Sequence, residues 1–351
     1  MTIDWIFQPL AALNANAKEQ GLERQGQLTK PPGSLGLLET MVVRLCAMQG
    51  VDKPNVDHAQ VVVFAGDHGI AAEGVSAFPQ VVTGEMVKNF SRGGAAICAL
   101  ARQNNAQFEV VNVGTVVDLP NMNYVLDSTI MPGTSNFAQQ PAMTLDQLSQ
   151  AMTAGMAAAD RAAANQVTLF IGGEMGIANT SSATALAAWA TGQSVARLVG
   201  PGTGLDLQGV SHKAQVIESA LAKHATAMIS PIEALRHVGG LEIAALVGAY
   251  IRLGQLGIAI LVDGFITTSA AILAAKIHPQ ILDWMFFAHA SAEPGHQTMM
   301  TSLGAKAMLD LDMRLGEGSG AGVALSILKS ACVTHNEMAT FAEASVSEKS
   351  A

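Results

Sequence analysis

Residues 167–190 read VTLFIGGEMGIANTSSATALAAWA, and this stretch contains three patterns in succession. An apolar, β-branched run leads into a glycine-rich turn, and an alanine-rich segment of helical character follows. Strands of a parallel sheet that is covered on both faces have such continuous apolar runs, and each is followed by a helix. The stretch therefore predicts one strand–loop–helix unit of an α/β fold.

Similar runs occur on both sides of this unit, with helical patterns such as 148–164 and 241–253 between them. The predicted strands are 60–66, 108–114, 167–173, 256–264 and 284–291. This alternation is typical of a Rossmann-like, mostly parallel, doubly wound α/β sheet. The strands fall within 56–324, the predicted α/β domain. The segments 1–55 and 325–351 lack strand signals and are expected to form a small helical domain from the two chain termini.

Composition excludes several classes of function. The chain has 351 residues and a formal net charge of −9, which argues against nucleic acid or an anionic membrane as the main partner. Its three cysteines are widely spaced and form no CxxC, as is usual for reduced thiols. The N-terminus has no signal-peptide pattern, and no apolar run approaches the roughly 20 residues that span a bilayer. A cytoplasmic protein without membrane insertion is expected.

Several predicted strands end in glycine followed by small polar residues, where ligands of open parallel sheets bind. These loops are GDHG (66–69), GGEMG (172–176), DGFITTS (263–269) and HASAEPG (289–295). Glu174 is a candidate ligand-binding residue here, because a side chain at the end of a strand can reach a ligand. The alternative is a structural acid bonded to backbone amides. The histidines show neither HxH nor HExxH spacing, so hydrogen-bonded loop residues are expected rather than a metal site.

An isolated acid, Glu317, lies among glycines in RLGEGSGAG (314–322). Gly316 and Gly318 allow the backbone to approach a ligand closely. Partial burial would raise the pKa of Glu317 and make it an effective base near neutral pH. The alternative is an acid that is favoured at a helix N-terminus by the helix dipole. The residues alone leave these two interpretations balanced.

Two further loops have the composition of a nucleotide site. GPGTGLD (200–206) precedes Lys213 and resembles a phosphate cradle in composition, although its spacing is not that of a P-loop. The candidates are Gly202, Thr203, Gly204 and Lys213. The second loop, AILVDGFITTSAA (259–271), looks like the ribose loop of phosphoribosyltransferases that use phosphoribosyl pyrophosphate. That loop normally has two adjacent acids, whereas here Gly264 follows Asp263. Asp263 is therefore a candidate ribose-binding or backbone-anchoring carboxylate, and diphosphate chemistry is not expected.

The dinucleotide fingerprint GxGxxG is absent after the first predicted strand, which disfavours an NAD-dependent oxidoreductase. A metallohydrolase built on GDHG and AHAS is a further, much weaker interpretation.

Seven segments occur in an order that points to one family: LTKPPGSLGLLE (28–39), FAGDHGIAAEGVSAFP (64–79), RGGAAI (92–97), IGGEMGIANT (171–180), GPGTGLD (200–206), LVDGFITTSAA (261–271) and MRLGEGSGA (313–321). Together they resemble the nicotinate-nucleotide–dimethylbenzimidazole phosphoribosyltransferases of cobalamin synthesis. The resemblance implies a Rossmann-like catalytic domain, a helical domain from both chain ends and a homodimer. It also implies that nicotinate mononucleotide and 5,6-dimethylbenzimidazole give α-ribazole phosphate and nicotinate, with inversion at C1′ and no cofactor.

The resemblance implies roles for particular residues. Glu317 is expected to be the catalytic base, and Glu174 to stabilise positive charge on the ribose or contact the edge of the benzimidazole. The 5′-phosphate is expected at Gly202–Gly204, Ser291–Gly295 and Lys213. Other expected contacts come from Gly176, Asn179, Asp263, Gly264, Leu315, Gly316 and Gly318.

The segment that matches the family's benzimidazole pocket, 75–90, departs from some members. Phe78 and Met86 stand where those members have a small polar residue and a glutamine. The acceptor is therefore left open among benzimidazoles, adenine and phenols.

The alternative to this transferase is a non-catalytic protein of the same pathway, which would bind a nucleotide or a corrinoid precursor without turnover.

Overall fold

Seven strands form one sheet in the computed structural model, which describes residues 3–347. The strands are β1 (Ala59–Gly66), β2 (Gln107–Gly114), β3 (Val125–Asp127), β4 (Leu169–Met175), β5 (Ala259–Val262), β6 (Met285–Ala290) and β7 (Ala307–Asp310). Their order across the sheet is β3-β2-β1-β4-β5-β6-β7, and every neighbouring pair is parallel. The predicted parallel, doubly wound α/β fold is confirmed.

Helices connect and cover the strands. Before residue 200 they are α1 (Ala15–Gln27), α2 (Leu37–Gln49), α3 (Val81–Ser91), α4 (Ala96–Gln103), α5 (Leu145–Ala164), α6 (Asn179–Thr191) and α7 (Val195–Leu198). After it they are α8 (Leu207–His224), α9 (Pro231–Val238), α10 (Leu241–Leu256), α11 (Phe265–Ile277), α12 (Pro294–Ser302), α13 (Ser319–Glu337) and α14 (Phe341–Ala344). Short 3₁₀ turns occupy Asp4–Phe7, Gly69–Glu73 and Pro279–Trp284.

The winding of the sheet changes direction between β1 and β4, because the chain first builds outward through β2 and β3 and then returns. Such a switch point opens a crevice at the carboxyl ends of the two central strands. All eight residues of β1 are buried, as its continuous apolar pattern indicated. The crevice therefore lies above a well-packed centre.

The predicted strands correspond to β1, β2, β4, β5 and β6, whereas the short edge strands β3 and β7 were missed. The predicted strand 256–264 is too long, since Leu256 still belongs to α10 and Gly257 ends that helix in the left-handed conformation.

The two ends of the described chain pack together. Helix α2 contacts both α1 and α13. The Arg24 guanidinium donates to the carbonyls of His335 and Asn336 at 2.8 and 2.9 Å, and Leu28 forms an isolated β-bridge with Thr340. The boundary predicted at 324–325 lies within α13, which runs from the crevice to α1 and α2. The division into two domains stays a prediction. Residues 1–2 and 348–351 of the predicted helical domain lie outside the described part. Within residues 3–347, no helix combines the length and apolarity needed to cross a membrane.

Helices α5 and α10 touch backbone to backbone through two glycines. A Cβ atom added at Gly155 would lie 1.8 Å from the carbonyl oxygen of Ala245, and one at Gly248 would lie 2.2 Å from that of Met152. Neither carbonyl can move without disturbing its own helix. The close approach of the two helices therefore requires residues without side chains.

Gly155→Ala should lower the free energy of unfolding by about 3 kcal/mol, because the added methyl group forces the two helices apart. Urea denaturation measures this change. Gly26→Ala is the matched control, since a Cβ there meets nothing within 4 Å. That control should raise the unfolding free energy by about 0.5–1 kcal/mol through helix propensity. Equal stability of Gly155→Ala and wild type would contradict the packing described.

Candidate active site

A cavity of about 730 Å³ opens at the carboxyl edge of the sheet. Loops that follow β4, β5, β6 and β7 line it, together with α3 and the glycine loop before α8. Most of the predicted site residues lie on its wall, namely Phe78, Met86, Glu174, Gly176, Asn179, Gly202, Thr203, Asp263, Gly264, Ser291, Leu315, Gly316 and Glu317. Gly204, Lys213 and Gly318 do not line it.

Glu317 lies in three consecutive residues with left-handed backbone. The φ angles of Gly316, Glu317 and Gly318 are +88°, +65° and +88°. The strain energy of a glutamate in this conformation is on the order of 1–3 kcal/mol, and residues strained in this way are common at functional sites. The two flanking glycines make the turn possible, and the turn directs the Glu317 side chain away from its own helix, α13.

The Glu317 carboxylate points to the first turn of another helix, α4. The Ile97 amide donates to its Oε2 at 3.5 Å, and the side chain is almost fully buried. Burial raises the pKa of Glu317, and the negative charge of Asp263 adds to the rise, whereas the amides of Ile97 and Ala96 lower it. The RGGAAI segment thus positions the acid, and the result is a carboxylate in a protected cavity that can accept a proton.

Asp263 anchors the loop that carries Glu317. Its Oδ1 accepts the Ala321 amide at 2.7 Å and its Oδ2 accepts the Gly318 amide at 3.2 Å. Burial raises the pKa of Asp263 to about 7, although these amide bonds oppose the rise. Of the two roles predicted for Asp263, the geometry supports backbone anchoring.

Glu174 ends β4 and faces the Glu317 loop. The Asn179 amide donates to its Oε2, and a Cβ atom at Gly316 would lie 2.5 Å from its Oε1. Burial raises the pKa of Glu174 to about 8, with further contributions from Glu242 and Asp263. Glu174 is therefore largely protonated at neutral pH.

Lys213 lies fully buried behind the glycine loop. Its Nζ donates to Thr180 Oγ1 at 2.7 Å and to the Gly200 carbonyl at 3.3 Å. Gly202, whose φ is +52°, lies directly in front of this ammonium, because a Cβ there would be 3.2 Å from Nζ. Burial lowers the pKa of Lys213 to about 8, and Glu293 opposes the shift. An anion bound at Gly202 would meet a cation that water does not screen.

Thr203 joins this loop to the opposite wall. Its hydroxyl oxygen accepts the Ala77 amide at 3.0 Å and lies 3.0 Å from Ser76 Oγ. Gly204, with φ of +104°, completes the turn without reaching the cavity. The loop is therefore fixed beside the segment that carries Phe78.

The backbone of the loop after β6 is largely occupied by internal bonds. The Ser291 amide donates to His296 Nδ1 at 2.9 Å, and the Ala292 amide donates to the Met313 carbonyl at 3.0 Å. Burial lowers the pKa of His296 to about 3, so it remains a neutral acceptor. These amides, expected to face a phosphate, are engaged within the protein, and the Ser291 side chain stays on the cavity wall.

Comparisons with known proteins agree with this arrangement. The family profile described as "Phosphoribosyltransferase" matches residues 10–346. A Xanthomonas euvesicatoria protein named nicotinate-nucleotide–dimethylbenzimidazole phosphoribosyltransferase is 53% identical over 348 residues, which cover 99% of this chain and 100% of that protein. A Pseudomonas fluorescens protein of the same name is 53% identical, with 100% of both chains covered. A crystal structure of the enzyme of this name from Thermus thermophilus superposes with a TM-score of 0.91 at 43% identity, over 96% of this chain and 100% of that one.

The chain belongs to the nicotinate-nucleotide–dimethylbenzimidazole phosphoribosyltransferase family. The resemblance inferred from the seven segments is confirmed over nearly the whole chain.

The cavity of this family member also contains residues that the sequence did not single out as site residues. They are Met175, Ile177, Thr180, Phe265, Ile266, Thr267, His289, Glu293, Asp312 and Arg314. All but Asp312 lie within segments that had been singled out from the sequence, so membership of those segments was the signal that could have found them. Glu293 is the most consequential, because it is a buried acid close to Lys213.

The histidine loops show no arrangement for a metal. Within residues 3–347, no group of three or more His, Cys, Asp or Glu side chains could hold an ion. His68 instead bonds to Ser182 Oγ at 2.9 Å and Glu242 Oε1 at 2.6 Å in the protein interior. The geometry offers no support for a metallohydrolase built on GDHG.

In Asp263→Asn the side-chain NH₂ group would face one of the two backbone N–H groups, from which it cannot accept a hydrogen bond. The first turn of α13 should therefore be released. The free energy of unfolding should fall by about 2 kcal/mol, the typical cost of losing a hydrogen bond to a charged group. Hydrogen exchange should also speed up at the amides of Gly318 and Ala321. Asp312→Asn, on the cavity rim, should change neither quantity measurably. Unchanged exchange in Asp263→Asn would show that this carboxylate does not anchor the loop.

Proposed function

We propose that this protein transfers the phosphoribosyl group of nicotinate mononucleotide to 5,6-dimethylbenzimidazole, giving α-ribazole 5′-phosphate and nicotinate with inversion at C1′. The proposal rests on the family membership over the whole chain and on one feature of the site. That feature is the Glu317 carboxylate, which is buried on a cavity wall and has a raised pKa. A single base of this kind matches the proton inventory of the reaction.

The bonding changes require one proton acceptor and nothing more. The nicotinate ring of the nucleotide is a pyridinium, so the electron pair of the broken C1′–N bond neutralises it as it leaves. One nitrogen of the benzimidazole forms the new bond to C1′, and the N–H of its other nitrogen must then lose a proton. Glu317 accepts that proton. Burial raises the pKa of its carboxyl group, and a general base is most effective when its pKa lies near the working pH.

Inversion follows from attack on the face of the ribose opposite the departing nicotinate. A β-nucleotide then gives an α-nucleotide in one displacement, with no covalent enzyme intermediate. Holding the two substrates in line within one cavity supplies much of the acceleration.

Glu174 has a separate role because it is largely protonated at neutral pH. A neutral carboxyl does little to stabilise positive charge on the ribose, but it can form hydrogen bonds. Of the two predicted roles of Glu174, a contact with the edge of the bound base therefore fits its environment better. Because a protonated Glu174 cannot accept the proton of the base, that role is assigned to Glu317.

The nucleotide phosphate is assigned to the Gly202–Thr203 side of the cavity, with Lys213 behind it and Ser291 beside it. The acceptor base is assigned to the apolar wall of Phe78, Met86 and Leu315. Apolar side chains match the methyl groups of dimethylbenzimidazole. They offer no hydrogen-bond partner to the amino group of adenine, which favours a benzimidazole among the acceptors left open by the sequence.

We further infer that the enzyme is a cytoplasmic homodimer, as the family resemblance implies. Its cysteines, Cys46, Cys98 and Cys332, are free and buried, in keeping with a reducing compartment. Light scattering on the purified protein tests the dimer. A non-catalytic binding protein of the same pathway is not favoured by any feature of the cavity or by the names of the relatives.

Nicotinate should be released from nicotinate mononucleotide only when dimethylbenzimidazole is also present, which chromatography of the reaction mixture measures. Release without the base, or none with both substrates, would contradict the proposed reaction.

Glu317→Gln should lower kcat by about 10²–10⁴-fold, the usual contribution of a general base. Glu337→Gln, an exposed acid at the far end of α13, is the control and should turn over like wild type.

The Michaelis constant for the nucleotide should rise with pH above about 8, because Lys213 then loses the proton that makes it a cation. Well above that pKa, the rise should approach about tenfold per pH unit. In Lys213→Met the constant should be high and independent of pH. Steady-state kinetics from about pH 7 to about pH 9.5 cover the transition. A constant that stays flat over this range in the wild-type enzyme would refute the role of Lys213.

A further inference from the structure

The loop after β1 contains a buried acid that the proposed reaction does not use. Asp67 is fully buried and does not line the cavity. Its Oδ1 accepts the Thr83 hydroxyl at 2.6 Å, and its Oδ2 accepts the Val116 amide at 2.9 Å. Both carboxylate oxygens therefore bond to elements outside the loop, and one of these elements is α3.

The Thr83 hydroxyl has a second bond that leads to the site. While donating to Asp67, its oxygen accepts the Ile177 amide at 3.0 Å. Ile177 is on the cavity wall, in the turn that runs from Glu174 to α6. One buried hydroxyl thus joins three segments: the β1 loop, helix α3 and the β4–α6 turn.

Helix α3 carries part of the wall assigned to the acceptor base. Met86 lies three residues after Thr83, on the same side of the helix, and Phe78 lies just before the helix begins. Thr83 itself does not reach the cavity. The helix start has one further bond to the β1 loop, from the Gln80 side-chain amide to the His68 carbonyl at 2.9 Å.

We propose that Thr83 is a positioning residue that sets the distance between the acceptor wall and the nucleotide-side turn, and thereby the affinity for the acceptor base. The inference rests on the proposed function, since it requires two substrates in one cavity. Without the hydroxyl, Asp67 and the Ile177 amide each lose a buried partner, and α3 shifts relative to the turn. A shift of this kind moves Met86, whereas Phe78 stays beside the Gly202–Thr203 loop, to which Ser76 and Ala77 are bonded, and the phosphate side keeps its place.

Ser182 provides a matched control in the same network. Its hydroxyl is fully buried and bonds to His68, the residue after Asp67, and to the Gly239 carbonyl at 3.2 Å. Ser182 is on α6 and contributes nothing to the cavity wall. Removal of this hydroxyl loosens the same loop without releasing α3.

The test measures Michaelis constants for both substrates in wild type, Thr83→Val, Thr83→Ser and Ser182→Ala. Valine keeps the shape of threonine but has no hydroxyl, whereas serine keeps the hydroxyl. In Thr83→Val the constant for dimethylbenzimidazole should rise roughly tenfold, as expected for a misplaced binding wall, with the nucleotide constant within about twofold of wild type. Thr83→Ser and Ser182→Ala should keep the wild-type constant for the base.

Equal increases in both constants in Thr83→Val would reveal general loosening and overturn the proposal, as would an unchanged constant for the base. If Thr83→Val does not fold, Thr83→Ala takes its place, since it also lacks the hydroxyl: a raised constant for the base alone supports the proposal and an unchanged one overturns it. A wild-type enzyme that fails to turn over the two substrates contradicts the proposed function itself. The two failures are therefore distinguishable in one assay.

Discussion

The bonds from the backbone amides of Gly318 and Ala321 to the Asp263 carboxylate hold together the centre of this protein. Asp263 follows a central strand, and the amides belong to the start of α13, so the bonds join the sheet to the last long helix. The left-handed turn at Glu317 lies immediately before this anchor. The left-handed conformation of Glu317 is unfavourable by itself. It is stabilised by the Asp263 anchor, the flanking glycines and the amides of α4, which fix the chain on both sides.

Environment rather than residue type separates the roles of the acids in the cavity. Burial and the charge of Asp263 raise the pKa of both Glu317 and Glu174, but the amides of Ile97 and Ala96 oppose the rise at Glu317, whereas the charge of Glu242 adds to it at Glu174. Glu174, with a pKa of about 8, is largely neutral at pH 7, and proton acceptance is assigned to Glu317. The cation Lys213 is kept apart from both, behind the glycine loop, where a phosphate would meet it. The arrangement matches a displacement that needs one base and one anion site.

The central strands and the loops that carry the site could be predicted from the sequence. The strands were predictable because their continuous apolar runs are a local signal. The sequence was insufficient for β3 and β7, which are too short and too exposed to show such a run. It left Glu317 balanced between two roles until the family resemblance was considered. The contact of Glu317 with Ile97 joins residues 220 positions apart, and the bonds of Asp263 and Thr83 likewise join distant segments. No local pattern encodes such contacts.

The configuration at C1′ of the product is the most direct test of the single-displacement mechanism, because a displacement assisted by one base can give only one anomer. The measurement is NMR spectroscopy of the ribosyl product formed from β-nicotinate mononucleotide and dimethylbenzimidazole. The single-displacement mechanism predicts the α-anomer alone. A product that retains the β configuration would contradict it, since retention requires either two displacements through a covalent intermediate or attack on a dissociated one.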